Sequence, residues 1–139
     1  MKINSEQEML QLGESFLQQY QNTASSPRII ELVGDVGAGK TTFVRGLARA
    51  LGTTAPVTSP SFTISKSYAL QDGRTLTHYD FYRLQDPGIM VEDLSEKLTD
   101  PSQLVVIEWG ETIQDFLPPD HTIITILYND DGTREVTVK

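Results

Sequence analysis

The stretch Arg28-Ile29-Ile30-Glu31-Leu32-Val33-Gly34-Asp35-Val36-Gly37-Ala38-Gly39-Lys40-Thr41-Thr42-Phe43-Val44 decides the fold. Residues 28–33 are rich in large and β-branched apolar side chains and predict a strand that stops at Gly34. Residues 34–41 then match G-x-x-x-x-G-K-[ST] in full. Over 40–51, Phe43, Val44, Leu47 and Leu51 share one helical face, and Gly52 ends the helix. Strand, glycine loop and helix in this order are the context in which the motif cradles phosphates. Three glycines let the backbone take positive φ and turn its N–H groups inward. Lys40 adds a positive charge, and Thr41 offers a hydroxyl to Mg2+. The helix N-terminus brings the positive end of its dipole. The candidate nucleotide-binding residues are Asp35, Val36, Gly37, Ala38, Gly39, Lys40, Thr41 and Thr42.

Outward from this stretch the chain alternates helices and strands. Residues 5–20 predict a helix with a capping box (Ser5 and Glu8) and an apolar stripe of Met9, Leu12, Phe16 and Leu17. Polar residues and Pro27 end it. Residues 53–60 read as loop. Residues 61–70 and 74–84 predict two strands joined at Gln71-Asp72-Gly73. Asp86-Pro87-Gly88 breaks the chain, and 89–98 predict a short helix. Residues 103–109 carry the apolar run Leu104-Val105-Val106-Ile107, as a strand buried on both faces does. Residues 121–128 and 133–139 form a closing hairpin, whose turn accounts for Asp130 and Asp131. Early βα order followed by hairpins predicts a three-layer α/β domain of the P-loop type. Its sheet is mixed parallel and antiparallel, flanked by helices, in one domain over 1–139.

A phosphate cradle needs further acids. Glu108 ends the apolar strand, where an acid that holds the Mg2+ shell or positions water belongs; the alternative is a strand-end carboxylate that caps the next turn. Asp80 lies in Thr77-His78-Tyr79-Asp80-Phe81-Tyr82-Arg83, where period 2 puts His78, Asp80 and Tyr82 on one face. Spacing alone leaves Asp80 either a catalytic carboxylate or a salt-bridged surface group. His78 reads as structural, because phosphoryl chemistry does not require a histidine. Ser59-Pro60-Ser61-Phe62-Thr63 reads equally as a γ-phosphate sensor or as a proline turn. Trp109 reads first as core packing; beside the site it would serve as a fluorescence reporter. Arg134 either reaches a phosphate or is solvated.

Composition narrows the function classes. Of 139 residues, 19 are Asp or Glu and 11 are Lys or Arg, a net charge of −8. Gripping nucleic acid directly needs clustered cations, so a role with RNA is expected to pass through a partner. Cysteine is absent, which excludes thiolate nucleophiles and Cys-based metal sites. The polar start lacks the apolar core of a secretory signal, and no stretch reaches the roughly 20 apolar residues of a membrane span. A cytoplasmic protein without a membrane is expected. No N-K-x-D segment is present to read guanine, which favours ATP over GTP. No L-S-G-G-Q transporter signature and no basic nucleotide-kinase lid is present.

The blocks Gly34 to Thr42, Ser59-Pro60-Ser61-Phe62-Thr63, His78-Tyr79-Asp80-Phe81-Tyr82-Arg83-Leu84 and Val106-Ile107-Glu108-Trp109-Gly110-Glu111 occur in this order along the chain. Together they closely resemble the TsaE (YjeE) family, the ATPase component of the bacterial tRNA threonylcarbamoyladenosine machinery. The first block is common to many NTPases; the last two carry the resemblance, which covers nearly the whole chain. The resemblance implies a P-loop fold, ATP and Mg2+ as ligands, and hydrolysis that is slow in isolation. It implies partnership with the TsaB–TsaD transferase pair, which modifies the adenosine 3′ of the anticodon. TsaE is not itself the transferase; its ATP cycle would reset the complex between turnovers. By the match, Lys40 and Thr41 take the phosphate and Mg2+ roles, Glu108 joins the Mg2+ shell and Asp80 supports hydrolysis. Ser61 stands where the family usually has Thr. Met9 stands near the position of a family Thr close to the base, and no base contact is transferred to it. The rival readings are a small-molecule kinase using the same cradle and a nucleotide-dependent binding module without hydrolysis.

Overall fold

The structure is a computed structural model, and it describes residues 1–19, 26–35, 37–53, 56–58, 65–82 and 88–139. At its centre, strand β2 (Ser26–Val33) runs into the glycine loop and helix α2 (Lys40–Ala50). Strand β5 (Gln103–Glu108) pairs parallel with β2 on one side, and β6 (His121–Tyr128) pairs parallel with it on the other. Strand β4 (Thr75–Asp80) pairs parallel with β5. Antiparallel strands complete both edges. These are β3 (Ser65–Ala69) on β4, and β7 (Arg134–Val138) on β6 with β1 (Lys2–Ile3) beyond it. The seven-stranded order is β1-β7-β6-β2-β5-β4-β3. The mixed sheet expected from the sequence is what forms.

Every residue of β5 is buried, so both faces of the sheet are covered. On one face, Ile30, Leu32, Leu104 and Val106 pack under α1 (Glu6–Gln19) and α2. On the other, Ile29, Val105, Ile107 and Tyr79 meet α3 (Gly88–Thr99) and a 3-10 segment, Gly110–Phe116. The capping box of α1 forms: Ser5 Oγ accepts the Glu8 N–H at 3.1 Å, and Glu8 Oε2 accepts the Asn4 N–H at 2.8 Å. The two helices cross backbone to backbone. A Cβ on Gly46 would lie 2.1 Å from the Leu10 carbonyl oxygen, and one on Gly13 would lie 2.2 Å from that of Phe43. Phe16 and Phe43 meet edge to face at 5.4 Å. Across the sheet, the Tyr79 hydroxyl donates to Asp93 at 2.5 Å and ties α3 to β4. Burial, then this carboxylate, push the Tyr79 phenol above its ordinary range. Arg28 donates to the carbonyls of Leu98, Asp100 and Gln103 at 2.8–3.3 Å, satisfying the end of α3.

Several boundaries differ from the sequence reading. Strand β4 stops at Asp80, because Asp80 Oδ1 accepts the Tyr82 N–H at 3.0 Å and turns the chain. Tyr82 therefore lies beyond the strand, exposed, and does not continue the face of His78 and Asp80. Strand β5 stops at Glu108, since Trp109 adopts φ 57° and ψ 50°. Strand β1 and the 3-10 segment are additions. Two residues are too few for a periodic signal, and the 3-10 segment lacks the repeat of an α-helix. Residues 61–64 and 83–84, read as strand, lie outside the described residues. Among the described residues no helix is long and apolar enough to cross a membrane.

Candidate functional site

The loop after β2 is shaped by its glycines. Gly37 and Gly39 have φ of 83° and 112°, where other residues are strained. The Ala38 N–H bonds to the Asp35 carbonyl at 3.1 Å and closes the turn. No side chain caps the N-terminus of α2, so its first N–H groups have no side-chain acceptor there. Gly37 is exposed, and a Cβ there would meet nothing within 4 Å, so its glycine is required by φ and not by crowding. Thr41 and Thr42 occupy the first turn of α2, half-buried. Val36 lies outside the described residues.

Arg134, left open by the sequence, holds this loop from behind. Its Nε donates to the Ala38 carbonyl at 3.0 Å and its Nη2 to that of Gly37 at 3.3 Å. The guanidinium stacks over Tyr128 at 4.6 Å. These two bonds hold the carbonyls of the loop and tie it to β7. A cavity of about 230 Å3 beside the loop is lined by Met9, Gly37, Gly39, Thr42 and Arg134 together with Ser5 and Glu6. The Met9 methyl would lie 3.2 Å from a Cβ on Gly39, so the apolar stripe of α1 ends against the cradle.

Lys40 folds back over the loop. Its Nζ donates to the Gly34 carbonyl at 2.6 Å and stands 3.6 Å from Glu108 Oε1. The same ammonium lies 4.4 Å from the centroid of the Trp109 ring, which Tyr82 contacts at 4.7 Å. Trp109 also packs against the core, so the core packing expected from the sequence goes together with a place beside Lys40. Glu108 Oε2 is 2.6 Å from His78 Nε2, and both side chains are buried. Asp80 is the register partner of Glu108 on the neighbouring strand and is also buried. The sheet thus brings together Lys40, Glu108 and Asp80, with His78 added.

The site fits Mg2+ carried by a phosphate ligand. Among the described residues no group of three or more His, Asp or Glu forms a cage of its own. Mg2+ commonly takes one or two protein oxygens and completes its shell with phosphates and water. Thr41 and Glu108 supply hard oxygen donors of that kind. The hydroxyl-rich residues 59–63 lie outside the described residues.

One buried acid escaped the sequence reading. Glu31, in the middle of β2, is only 4% exposed. Gln114 donates to both of its oxygens, at 2.6 and 3.1 Å, and to the Gly110 carbonyl at 3.0 Å. His121 Nε2 stands 3.8 Å away. Glu31 therefore anchors the turn that follows Trp109. A charge set within the apolar run Ile29 to Val33 is its only signal.

Such a loop, standing on a mixed sheet between two layers of helix, defines the P-loop α/β class. A family model described as "Threonylcarbamoyl adenosine biosynthesis protein TsaE" matches residues 3–136. A Bacillus subtilis protein named tRNA threonylcarbamoyladenosine biosynthesis protein TsaE is 40% identical over 111 residues, 78% of this chain and 67% of that one. The Haemophilus influenzae protein of the same name is 33% identical over 131 residues, covering 94% and 82%. The crystal structure of YdiB from Bacillus subtilis superposes with a TM-score of 0.75 at 30% identity, over 99% of this chain and 82% of that one. The chain belongs to the TsaE family, whose members act in tRNA threonylcarbamoyladenosine biosynthesis.

Proposed function

We propose that this chain is a Mg2+-dependent P-loop ATPase, slow on its own, that supports threonylcarbamoyl transfer to tRNA by acting on the TsaB–TsaD pair. The observation that carries the reading is the pairing of the loop's Lys40 with Glu108, whose register partner on the next strand is Asp80. The loop N–H groups and Lys40 bind the β- and γ-phosphates of ATP, and Lys40 exchanges the Gly34 carbonyl for phosphate oxygens. Thr41 and Glu108 would hold Mg2+, which would supply charge neutralisation to the phosphates. Asp80 orients the attacking water and accepts its proton as the bond to the leaving ADP oxygen breaks. Turnover stays slow alone, since charge-stabilising groups can be supplied in trans.

The charge distribution supports meeting tRNA only through the complex; the place of action we propose is the cytoplasm. The net charge is −8, and Arg45 and Arg49 on α2 already face Glu6 and Glu14 at 3.7 and 3.6 Å. The test compares Lys40→Ala with Asp80→Asn in nucleotide binding and single-turnover hydrolysis. Lys40→Ala is expected to weaken binding. Asp80→Asn is expected to keep binding while hydrolysis falls by about 100-fold or more. An Asp80→Asn chain that hydrolyses ATP at the wild-type rate would overturn the assignment.

A further inference from the structure

We propose that His78 is the positioning residue of Glu108, the donor that holds this carboxylate in place when Lys40 leaves it for phosphate. The proposal rests on the ATPase reading above. His78 lies two residues before Asp80 on β4, hence on the same face. Its register partner is Val106, so the imidazole reaches one pair along to the next residue of that face of β5, Glu108.

The two carboxylate oxygens have separate partners. Oε2 meets His78 Nε2 at 2.6 Å, and Oε1 faces Lys40 at 3.6 Å. The lysine already has the Gly34 carbonyl as an alternative partner, and its flexible stem lets it move. The imidazole has none. Its Nδ1 is buried without a hydrogen-bond partner among the described residues. That assigns the ring hydrogen to Nε2, facing the carboxylate. His78 itself has no exposed surface, so the ring is locked between strands. A buried carboxylate needs a donor at all times. Once Lys40 turns to the phosphates, His78 is the protein donor that remains on Glu108. A histidine present only to fill the core would not direct its single hydrogen bond at the carboxylate that faces the cradle.

Outer partners of this kind, when removed, commonly cost about 10- to 100-fold in metal affinity or activity. The test follows Trp109 fluorescence during ADP titrations at a series of Mg2+ concentrations, with steady-state ATP turnover alongside. Three variants are compared with the wild-type chain: His78→Phe, His78→Gln and His78→Asn. Phe keeps the ring and removes the donor. Gln places an N–H near the position of Nε2, whereas Asn places it near Nδ1.

His78→Phe is expected to raise the half-saturating Mg2+ by about 10- to 100-fold and to lower kcat, with Mg2+-free ADP affinity near wild type. His78→Gln is expected to restore the Mg2+ dependence; His78→Asn is not. If His78→Phe does not fold, Gln against Asn decides the matter alone. Equal Mg2+ dependence in Gln, Asn and wild type overturns the proposal. So does a parallel loss of Mg2+-free affinity and melting temperature in every variant, which marks a purely structural histidine. A wild-type chain without Mg2+-dependent nucleotide binding overturns the ATPase reading itself, and the proposal with it.

Discussion

Asp80 and Glu108 are register partners at the tips of two adjacent parallel strands, β4 and β5. Neither reaches the other from its own element; the pairing of the strands places two buried carboxylates on one face. Only Glu108 has the lysine of the loop within 4 Å among the ion pairs of the described residues. Asp80 instead accepts the backbone N–H that turns the chain at the end of β4. Two acids with different partners are suited to different tasks, which is why the proposed mechanism gives Glu108 the cation and Asp80 the attacking water.

Trp109 is the only tryptophan of the chain, and its ring carries the Lys40 ammonium 4.4 Å from its centroid. A cation over an indole face polarises it. Nucleotide binding is expected to draw Lys40 away and change the emission saturably. In Lys40→Ala that signal is expected to vanish and affinity to fall by about 100-fold, the scale of losing a charged donor at such a site. Fluorescence titration with ADP and Mg2+ checks both. An unchanged spectrum at saturation would show that Lys40 stays on the ring.

Arg134 braces the cradle through two carbonyls. Each bond contributes about 0.5–1.5 kcal/mol net, so Arg134→Ala is expected to weaken nucleotide binding by about 10-fold. Arg134→Lys is not expected to restore it, because an ammonium cannot make both contacts and stack on Tyr128. Calorimetric titration of both variants checks this. Full rescue by lysine would mean that charge alone matters.

Gly46→Ala reverses an ordinary expectation. In an open helix, alanine gains about 1 kcal/mol over glycine. Here the new Cβ would stand 2.1 Å from the Leu10 carbonyl oxygen. Overpacking of this kind costs about 1–3 kcal/mol, occasionally more. Melting temperature is expected to fall by several degrees, roughly 2–4 °C per kcal/mol for a chain of this size. A rise would show that α1 can slide away without loss.

How much was legible in the sequence follows from periodicity. The apolar run 104–107 announced β5, and the glycine loop announced α2, because local pattern and local chemistry agree there. The α1–α2 crossing was not legible. Gly13 and Gly46 are ordinary glycines until two helices are brought to backbone contact. Lys40 and Glu108 were named from motif and strand end; His78 was set aside as structural. Its bond to Glu108 depends on strand register, which no single strand encodes. Arg134 stayed undecided for the same reason: its acceptors lie nearly a hundred residues earlier.

Three turn aspartates each add a small share to the stability lost in acid. The Arg74 N–H, and then its side chain, hold Asp72 below the ordinary 3.8. The Ser102 hydroxyl and N–H do the same for Asp100, and those of Thr133 for Asp131. Because the folded values are depressed, the stabilisation is fully present above pH 3.8 and is lost as pH falls through the folded values. All three carboxylates are solvent-exposed, so each share is small. Melting temperature followed down through pH 3.8 is expected to fall, and Asp131→Ala to fall less over the same range. An equal acid slope in Asp131→Ala would remove this turn from the explanation.

The most direct test of the central claim is steady-state ATP turnover by the pure chain with Mg2+, alone and with the TsaB–TsaD pair. Slow turnover alone, clear acceleration by the pair and loss of both in Asp80→Asn are the expected results. A rate that the pair leaves unchanged but a small-molecule acceptor raises saturably would contradict the claim, and would make the chain a kinase built on the same cradle.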